Sequence, residues 1–232
     1  MKKFFADKNG DFFVFAGDEL AHFNVVRCHL GEHILCYGEN NLDYICEVVS
    51  IDKKCAKAKI INKQKNTKNP KINITMYQGM VKGEKADLIV QKLTELGITN
   101  LFFFESEFTV AKGNNNKIDR LIKISKEACK QCGRSIPLNI GEYPKFESMI
   151  KSLSQYDIIL FANEKDTFRN LKDIKNYKNI AIIVGSEGGF SDNEISQINS
   201  LNAVSFGLGE RILRAETACI ATASIIGYIL GV

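Results

Sequence analysis

The sequence predicts an α/β protein built on a mostly parallel sheet, with a small antiparallel β-barrel ahead of it. Three observations carry that prediction. After position 72, short apolar runs alternate with helical patterns, as buried parallel strands and their crossover helices do. Before position 62, the apolar stretches are brief and punctuated by turn signals, as in a small barrel. Between the two lies a polar, lysine-rich passage.

The elements follow in order. Strands are expected at residues 12–15, 34–37, 43–51 and 56–61, with Asn9-Gly10 and Glu39-Asn40-Asn41 as turns. Residues 53–71 hold eight lysines and no acid, and end in the apolar-free Lys65-Asn66-Thr67-Lys68-Asn69-Pro70. The domain boundary is placed there, giving domains at 1–68 and 72–232. Residues 72–80 read as a strand. A helix over 84–96 puts Leu88, Ile89, Leu93 and Leu96 on one side and stops at Gly97. Leu101-Phe102-Phe103-Phe104 is a buried strand. A helix over 118–132 gathers Ile118, Leu121, Ile122, Ser125, Ala128, Cys129 and Cys132 on one face. Further strands are expected at 157–162, 180–184 and 203–206, and helices at 191–200 and 216–230. The apolar residues 218–232 read as a buried helix, because fifteen residues fall short of the ~20 that a membrane span needs.

Bulk numbers narrow the function. The chain has 232 residues, 45% hydrophobic and 25% charged, which excludes disorder as the main state. A net charge of +4 permits a nucleic-acid partner without demanding one. Seven scattered cysteines argue against a disulfide scaffold and for reduced thiols in the cytoplasm. The first residues lack the apolar stretch of a signal peptide.

Two loops could carry chemistry. Gly185-Ser186-Glu187-Gly188-Gly189-Phe190 follows an apolar strand and precedes a helix with a capping box, Ser191 and Glu194. Glycines at the carboxyl end of a parallel strand allow close approach of a ligand, and that end is where α/β ligands bind. A plain strand-to-helix turn is the bland alternative. The second loop, Gly207-Leu208-Gly209, leads through Glu210-Arg211-Ile212-Leu213-Arg214-Ala215-Glu216-Thr217 into the last helix. Charges so dense beside apolar sequence are usually paired or functional. No P-loop is present, and Ile212 stands where a dinucleotide fingerprint needs glycine. His29 and His33 lack the glutamate of a zinc-protease motif, and Cys129 and Cys132 form a single pair on a helix face, so no metal is expected.

These residues resemble the ribosomal small-subunit methyltransferase E family, of the SPOUT class of S-adenosylmethionine-dependent enzymes. The resemblance runs nearly end to end. It is strongest over Val184–Ser191 and Leu208–Ala218, where the family's usual forms are GPEGG(F/L)S and LGxR(I/V)LRTET. Gln91-Lys92-Leu93-Thr94-Glu95-Leu96-Gly97, Glu127–Arg134 and His22-Phe23-Asn24-Val25-Val26-Arg27 add to it. Ser186 stands where proline is usual, Ala215 where threonine is, Phe108 where arginine is, and Lys3 where arginine is.

The resemblance implies a trefoil-knotted, parallel-sheet SPOUT domain, an N-terminal PUA-like barrel, and a homodimer. It implies methylation of nitrogen 3 of a uridine in 16S rRNA, with S-adenosylmethionine held mainly by backbone at Leu160, Phe161, Gly185, Glu187, Gly188, Gly189, Leu208, Gly209, Ile212, Leu213, Thr217 and Ala218. Glu187 or Glu216 is expected as proton acceptor and Arg214 as stabiliser of the uracil anion. Phosphate contacts are expected from Lys3, Arg27, Arg134 and the 53–71 lysines, a solvated linker being nearly as good a reading of the last. Two rival classes stay open: a non-catalytic RNA-binding or assembly factor, and an enzyme of the same class acting on another rRNA or tRNA base.

Overall fold

Alternation of side chains across two sheets explains most of the architecture. The computed structural model describes all residues except 39–40, 111–114, 144, 167–170 and 232, together with the side chains of 115–117 and 172. The Glu39-Asn40 part of the expected turn, and Val232 of the apolar tail, lie outside the described residues. The chain divides into two compact units, Met1–Asn69 with Cys129–Ile136, and Pro70–Ala128 with Pro137–Val232.

The first unit holds a six-stranded sheet in the order β1-β4-β5-β6-β3-β2. Its strands are β1 (Lys3–Phe5), β2 (Asp7–Asn9), β3 (Phe12–Phe15), β4 (His33–Tyr37), β5 (Leu42–Ile51) and β6 (Ala56–Lys65). β1 pairs with β4 in parallel and the other pairs are antiparallel. Inward positions supply an aromatic core of Phe4, Phe13, Phe15 and Phe23, with the Phe4 and Phe15 rings edge-on at 5.2 Å. Phe23 comes from α1 (Gly17–Val25), a helix the sequence reading did not anticipate.

β6 corrects the expected linker. It was expected to end at 61 but runs to Lys65, paired with β5 out to Leu42 opposite Lys65. β3 covers only its first residues, Ala56 to Lys59, so the rest is solvated and needs no apolar signal. Residues 129–136 join this unit through Asn66 and Asn69. The Asn66 side-chain amide donates to the Gly133 carbonyl at 2.9 Å, and the Asn69 side-chain oxygen accepts from the Ser135 N–H at 2.9 Å.

The second unit holds a parallel six-stranded sheet in the order β12-β10-β11-β7-β8-β9. The strands are β7 (Asn73–Gly79), β8 (Asn100–Phe104), β9 (Asn139–Tyr143), β10 (Ile158–Ala162), β11 (Asn179–Val184) and β12 (Val204–Phe206). Along β11, Ile180, Ile182 and Val184 face one core with Ile89, Leu93, Leu121 and Ile226, while Ala181 and Ile183 face another with Phe104, Met149, Phe161 and Ile198. The first core belongs with α2 (Lys85–Glu95), α3 (Asn115–Cys132) and α6 (Ala215–Leu230). The second belongs with α4 (Phe146–Ser152) and α5 (Asp192–Ser200).

The expected capping box is formed: the Ser191 hydroxyl accepts from the Glu194 N–H at 3.3 Å, and the Glu194 carboxylate accepts from the Ser191 N–H at 2.9 Å. β9 and α4 were not anticipated. The tail is less buried than expected: α6 covers Cys219, Ala223 and Ile226, but Ile225 is exposed and Tyr228 is 89% exposed. No helix among the described residues is long and apolar enough to cross a membrane.

Candidate active site

Parallel strands end with their loops on one side, and there the two glycine-bearing loops meet. A cavity of about 390 Å³ opens at the ends of β10, β11 and β12. That volume lies within the range of small-molecule sites, roughly 300–1,000 Å³. Gly185–Gly189 form one wall and residues 208–215 another, with Ala162, Asn163, Glu164 and Lys165 beyond β10 and Lys85 at the start of α2.

Main-chain packing shapes the first wall. The Gly189 N–H donates to the Ser186 carbonyl at 3.1 Å, which closes a tight turn, and Gly189 has φ +69°. Gln78 anchors that turn, donating from Nε2 to the Gly185 carbonyl at 2.8 Å. Two glycines are required by contact. A Cβ on Gly79, at the end of β7, would lie 2.7 Å from the Gly185 carbonyl carbon. A Cβ on Gly188 would lie 2.8 Å from the Phe108 carbonyl oxygen. Both gaps are far inside ordinary contact distance.

Charge gathers at one corner. The Lys85 ammonium lies 2.9 Å from Glu187 Oε1 and 3.4 Å from Glu216 Oε2. The Lys82 backbone N–H also donates to Glu187 Oε1, at 3.3 Å. Burial pushes the Glu187 carboxyl up, but the hydrogen bond from Lys85, with the backbone donors, outweighs it and holds the group below the usual carboxylate range. The hydrogen bond from Lys85 to Glu187 raises the lysine in turn, so both are charged at neutral pH. A carboxylate held in this way is a weak proton acceptor.

The expected residues separate into those that reach the cavity and those that do not. Gly185, Glu187, Gly188, Gly189, Leu208, Gly209, Ile212, Leu213, Arg214 and Ala218 line it. Arg214 is the N-cap of α6, where its carbonyl accepts from the Ala218 N–H at 2.8 Å while the side chain stays exposed. Leu160 and Phe161 do not line the cavity. Both are fully buried, Leu160 in the first core and Phe161 against Phe190 in the second, since the middle of a strand faces its cores and only its end faces a ligand. Thr217 is exposed and off the wall, and Glu216 meets the site through Lys85. Lys85, Gly79 and Asn163 were missed. The Gly79 position carried a signal, a glycine at the end of an apolar strand; Lys85 carried none, because its partners are distant in sequence.

In the first unit, Arg27 is exposed with φ +53°, and Lys3 is half-buried with its ammonium 3.4 Å from the Gln131 carbonyl. Arg134, also expected at phosphate, lies inside the first unit. It is 3% exposed, and burial lowers its pKa, so its guanidinium belongs to the packing of residues 129–136.

Known proteins match this chain in sequence and in fold. A family model described as an RNA methyltransferase domain matches residues 67–227. The ribosomal RNA small subunit methyltransferase E of Buchnera aphidicola is 30% identical, covering 94% of this chain and 89% of its own. The protein of the same name from Aquifex aeolicus is 30% identical, over 95% and 96%. A crystal structure of the Neisseria gonorrhoeae ribosomal RNA small subunit methyltransferase E, bound to S-adenosyl methionine, has the same fold, with TM-score 0.90 at 24% identity over 99% of this chain and 98% of that one. A domain model spanning most of the chain, two relatives matched nearly end to end, and motifs that converge on one cavity lead to one conclusion: the chain belongs to the ribosomal RNA small subunit methyltransferase E family.

Proposed function

We propose that this protein transfers a methyl group from S-adenosylmethionine to nitrogen 3 of a specific uridine in 16S rRNA of the small ribosomal subunit. The observation that carries the reading is the meeting of residues 185–189 and 208–215 on one cavity of donor size. When bound there, S-adenosylmethionine supplies an already electrophilic methyl group, so the chain's work is positioning and electrostatics.

The residues fit that work. Wall backbone at Gly185, Gly188, Gly189, Leu208 and Gly209 can read a nucleoside through N–H and C=O groups, since glycine keeps Cβ atoms out of the way at four of these five positions. Ile212, Leu213 and Ala218 offer apolar contact. Arg214 stands exposed at the wall and would stabilise negative charge on the acceptor ring. Of the two expected proton acceptors, Glu187 is the less apt, because the hydrogen bonds from Lys85 and the backbone lower its carboxyl's affinity for a proton. Nitrogen 3 lies on the pairing edge of uracil, so the target uridine must be unpaired or extruded.

The same reading assigns a trefoil knot to the second unit and a PUA-like, RNA-binding role to the first. There Lys3, Arg27 and the lysines of β6 would meet phosphate. It also makes the protein a homodimer, for which the exposed Tyr228 and Ile225 of α6 supply an apolar surface. The deciding experiment is mass mapping of rRNA from a strain lacking the gene. Loss of one methyluridine from 16S rRNA, restored by the wild-type protein and not by Gly188→Val, is the expected result. An unchanged 16S map, or purified protein that fails to bind S-adenosylmethionine in calorimetry, would overturn it.

A further inference from the structure

We propose that Lys85 is a positioning residue of the cavity, clamping the carboxylates of the two signature loops, Glu187 and Glu216, against the start of α2. The proposal rests on reading the cavity as a donor site, but its first test needs no donor.

Three separated pieces of chain converge on one ammonium. Lys85 is the first residue of α2, Glu187 sits in the turn after β11, and Glu216 lies in the first turn of α6. Their contacts are 2.9 and 3.4 Å, so the two carboxylate oxygens lie within about 6 Å of each other. Glu216 is 8% exposed, so water does little to screen it.

The other charged groups nearby are otherwise placed. On α2, Asp87 pairs with Arg120. On α6, Cys219 is fully buried, its thiol pushed up and therefore neutral. Lys82 presents its backbone N–H to Glu187. Arg211, Arg214, Glu164 and Lys165 line the cavity, and Lys165 pairs with Asp192. Among the described residues, Lys85 is the cation within ion-pair distance of both glutamates. Two carboxylates without their shared cation repel, and one responds by taking up a proton. Lys85 thus holds the glycine turn and the head of α6 in register, its flexible four-carbon stem carrying one compact charge from the start of α2 to both carboxylates.

The test begins with ligand-free protein. Glutamate carboxyl carbons are followed by NMR through a pH titration, with Glu187→Gln and Glu216→Gln assigning the signals. In Lys85→Gln, the midpoint of Glu187 should rise by about one unit or more, and Lys85→Arg should restore it. Calorimetry with S-adenosylmethionine should then show Lys85→Gln about tenfold weaker at neutral pH, recovering as pH falls through the new midpoint. An unchanged titration in Lys85→Gln overturns the proposal, as does an affinity loss that neither acid nor arginine repairs. If Lys85→Gln does not fold, the double variant Lys85→Gln/Glu216→Gln decides: removing one carboxylate should restore folding, and failure to do so overturns the clamp. Wild-type protein that titrates as expected but binds no donor would sink the donor-site reading and leave the clamp standing.

Discussion

Gly79→Ala probes the foundation of the cavity from outside it. Gly79 ends β7 and touches no ligand-facing surface, but its missing Cβ is what lets the Gly185-Ser186 backbone lie against the strand. An added methyl would sit 2.7 Å from the Gly185 carbonyl carbon, where ordinary contact is about 3.5–4.0 Å, so the turn must retreat by about 1 Å. The three nearest atoms all belong to the Gly185-Ser186 backbone, so no rotamer change relieves the overlap. Overpacking of this kind costs about 1–3 kcal/mol, offset in part by about 0.8 kcal/mol for one more buried methyl. The net loss is up to about 2 kcal/mol, which lowers Tm by up to about 8 °C in a protein of this size. The larger effect falls on the donor. The turn is tied to Gln78 through the Gly185 carbonyl, and its retreat moves a whole wall, so donor affinity should fall by tenfold or more. Thermal unfolding and calorimetry with S-adenosylmethionine measure the two effects. Gly141→Ala is the control, because its Cβ would meet the Phe102 ring at 2.9 Å, an overlap that leaves stability changed but touches no residue of the cavity wall. Gly79→Ala with unchanged affinity would refute the claim that this contact sets the wall.

Three further outcomes are expected. Arg214→Ala should lower turnover about 10²–10³-fold while leaving donor affinity within about threefold, measured by methyl transfer and calorimetry; full turnover would remove Arg214 from the scheme. Ser191→Ala breaks the capping box on α5 and should cost about 1 kcal/mol, read as a Tm lower by about 2–4 °C. In the first unit, Glu32 is held at about 2 by its hydrogen bond from Lys2, against the opposing effect of burial and with help from His29. A lowered carboxylate pKa contributes stability that is full above pH 4.5 and lost as pH falls toward about 2. Glu32→Gln should therefore flatten the acid side of the stability curve below pH 4.5 in denaturant titrations.

What could be read from the sequence was what repeats or what local chemistry enforces. Ile180 to Val184 announce a strand by composition, and Ser191 with Glu194 announce a helix start by spacing. The glycine loops announce strand ends. What could not be read depends on distance in space. Lys85 resembles any lysine at a helix start until α6 and the β11 loop are brought to it. Arg134 resembles a surface arginine until residues 129–136 dock on Asn66 and Asn69. Residues 62–65 carry no apolar pattern because a strand paired on one side and solvated on its faces needs none. Leu160 and Phe161 lie on β10 inside the two cores, and the cavity lining on that strand begins at Ala162.

Three of the four departures from the family's usual residues, Ser186, Phe108 and Ala215, fall where the fold relies on main chain; the fourth, Lys3, still presents a cation, its ammonium 3.4 Å from the Gln131 carbonyl. At position 186 the turn uses a carbonyl, accepting from the Gly189 N–H, and proline has that carbonyl as serine does. Serine adds a hydroxyl that accepts from the Gly188 N–H at 3.4 Å, a local bond that can replace some of proline's rigidity. At position 108 the close approach to Gly188 involves the carbonyl oxygen and Cβ of the residue, atoms that arginine and phenylalanine share. At position 215 the chain is entering α6, and alanine suits a helix better than threonine does. Each of these three substitutions keeps the atoms that build the wall and changes only what projects from it. The main chain of the cavity is therefore unaltered by these changes, and their consequences fall on side chains: Ser186 and Ala215 at the lining, and Phe108 beside Gly188, where it offers a ring in place of a charge.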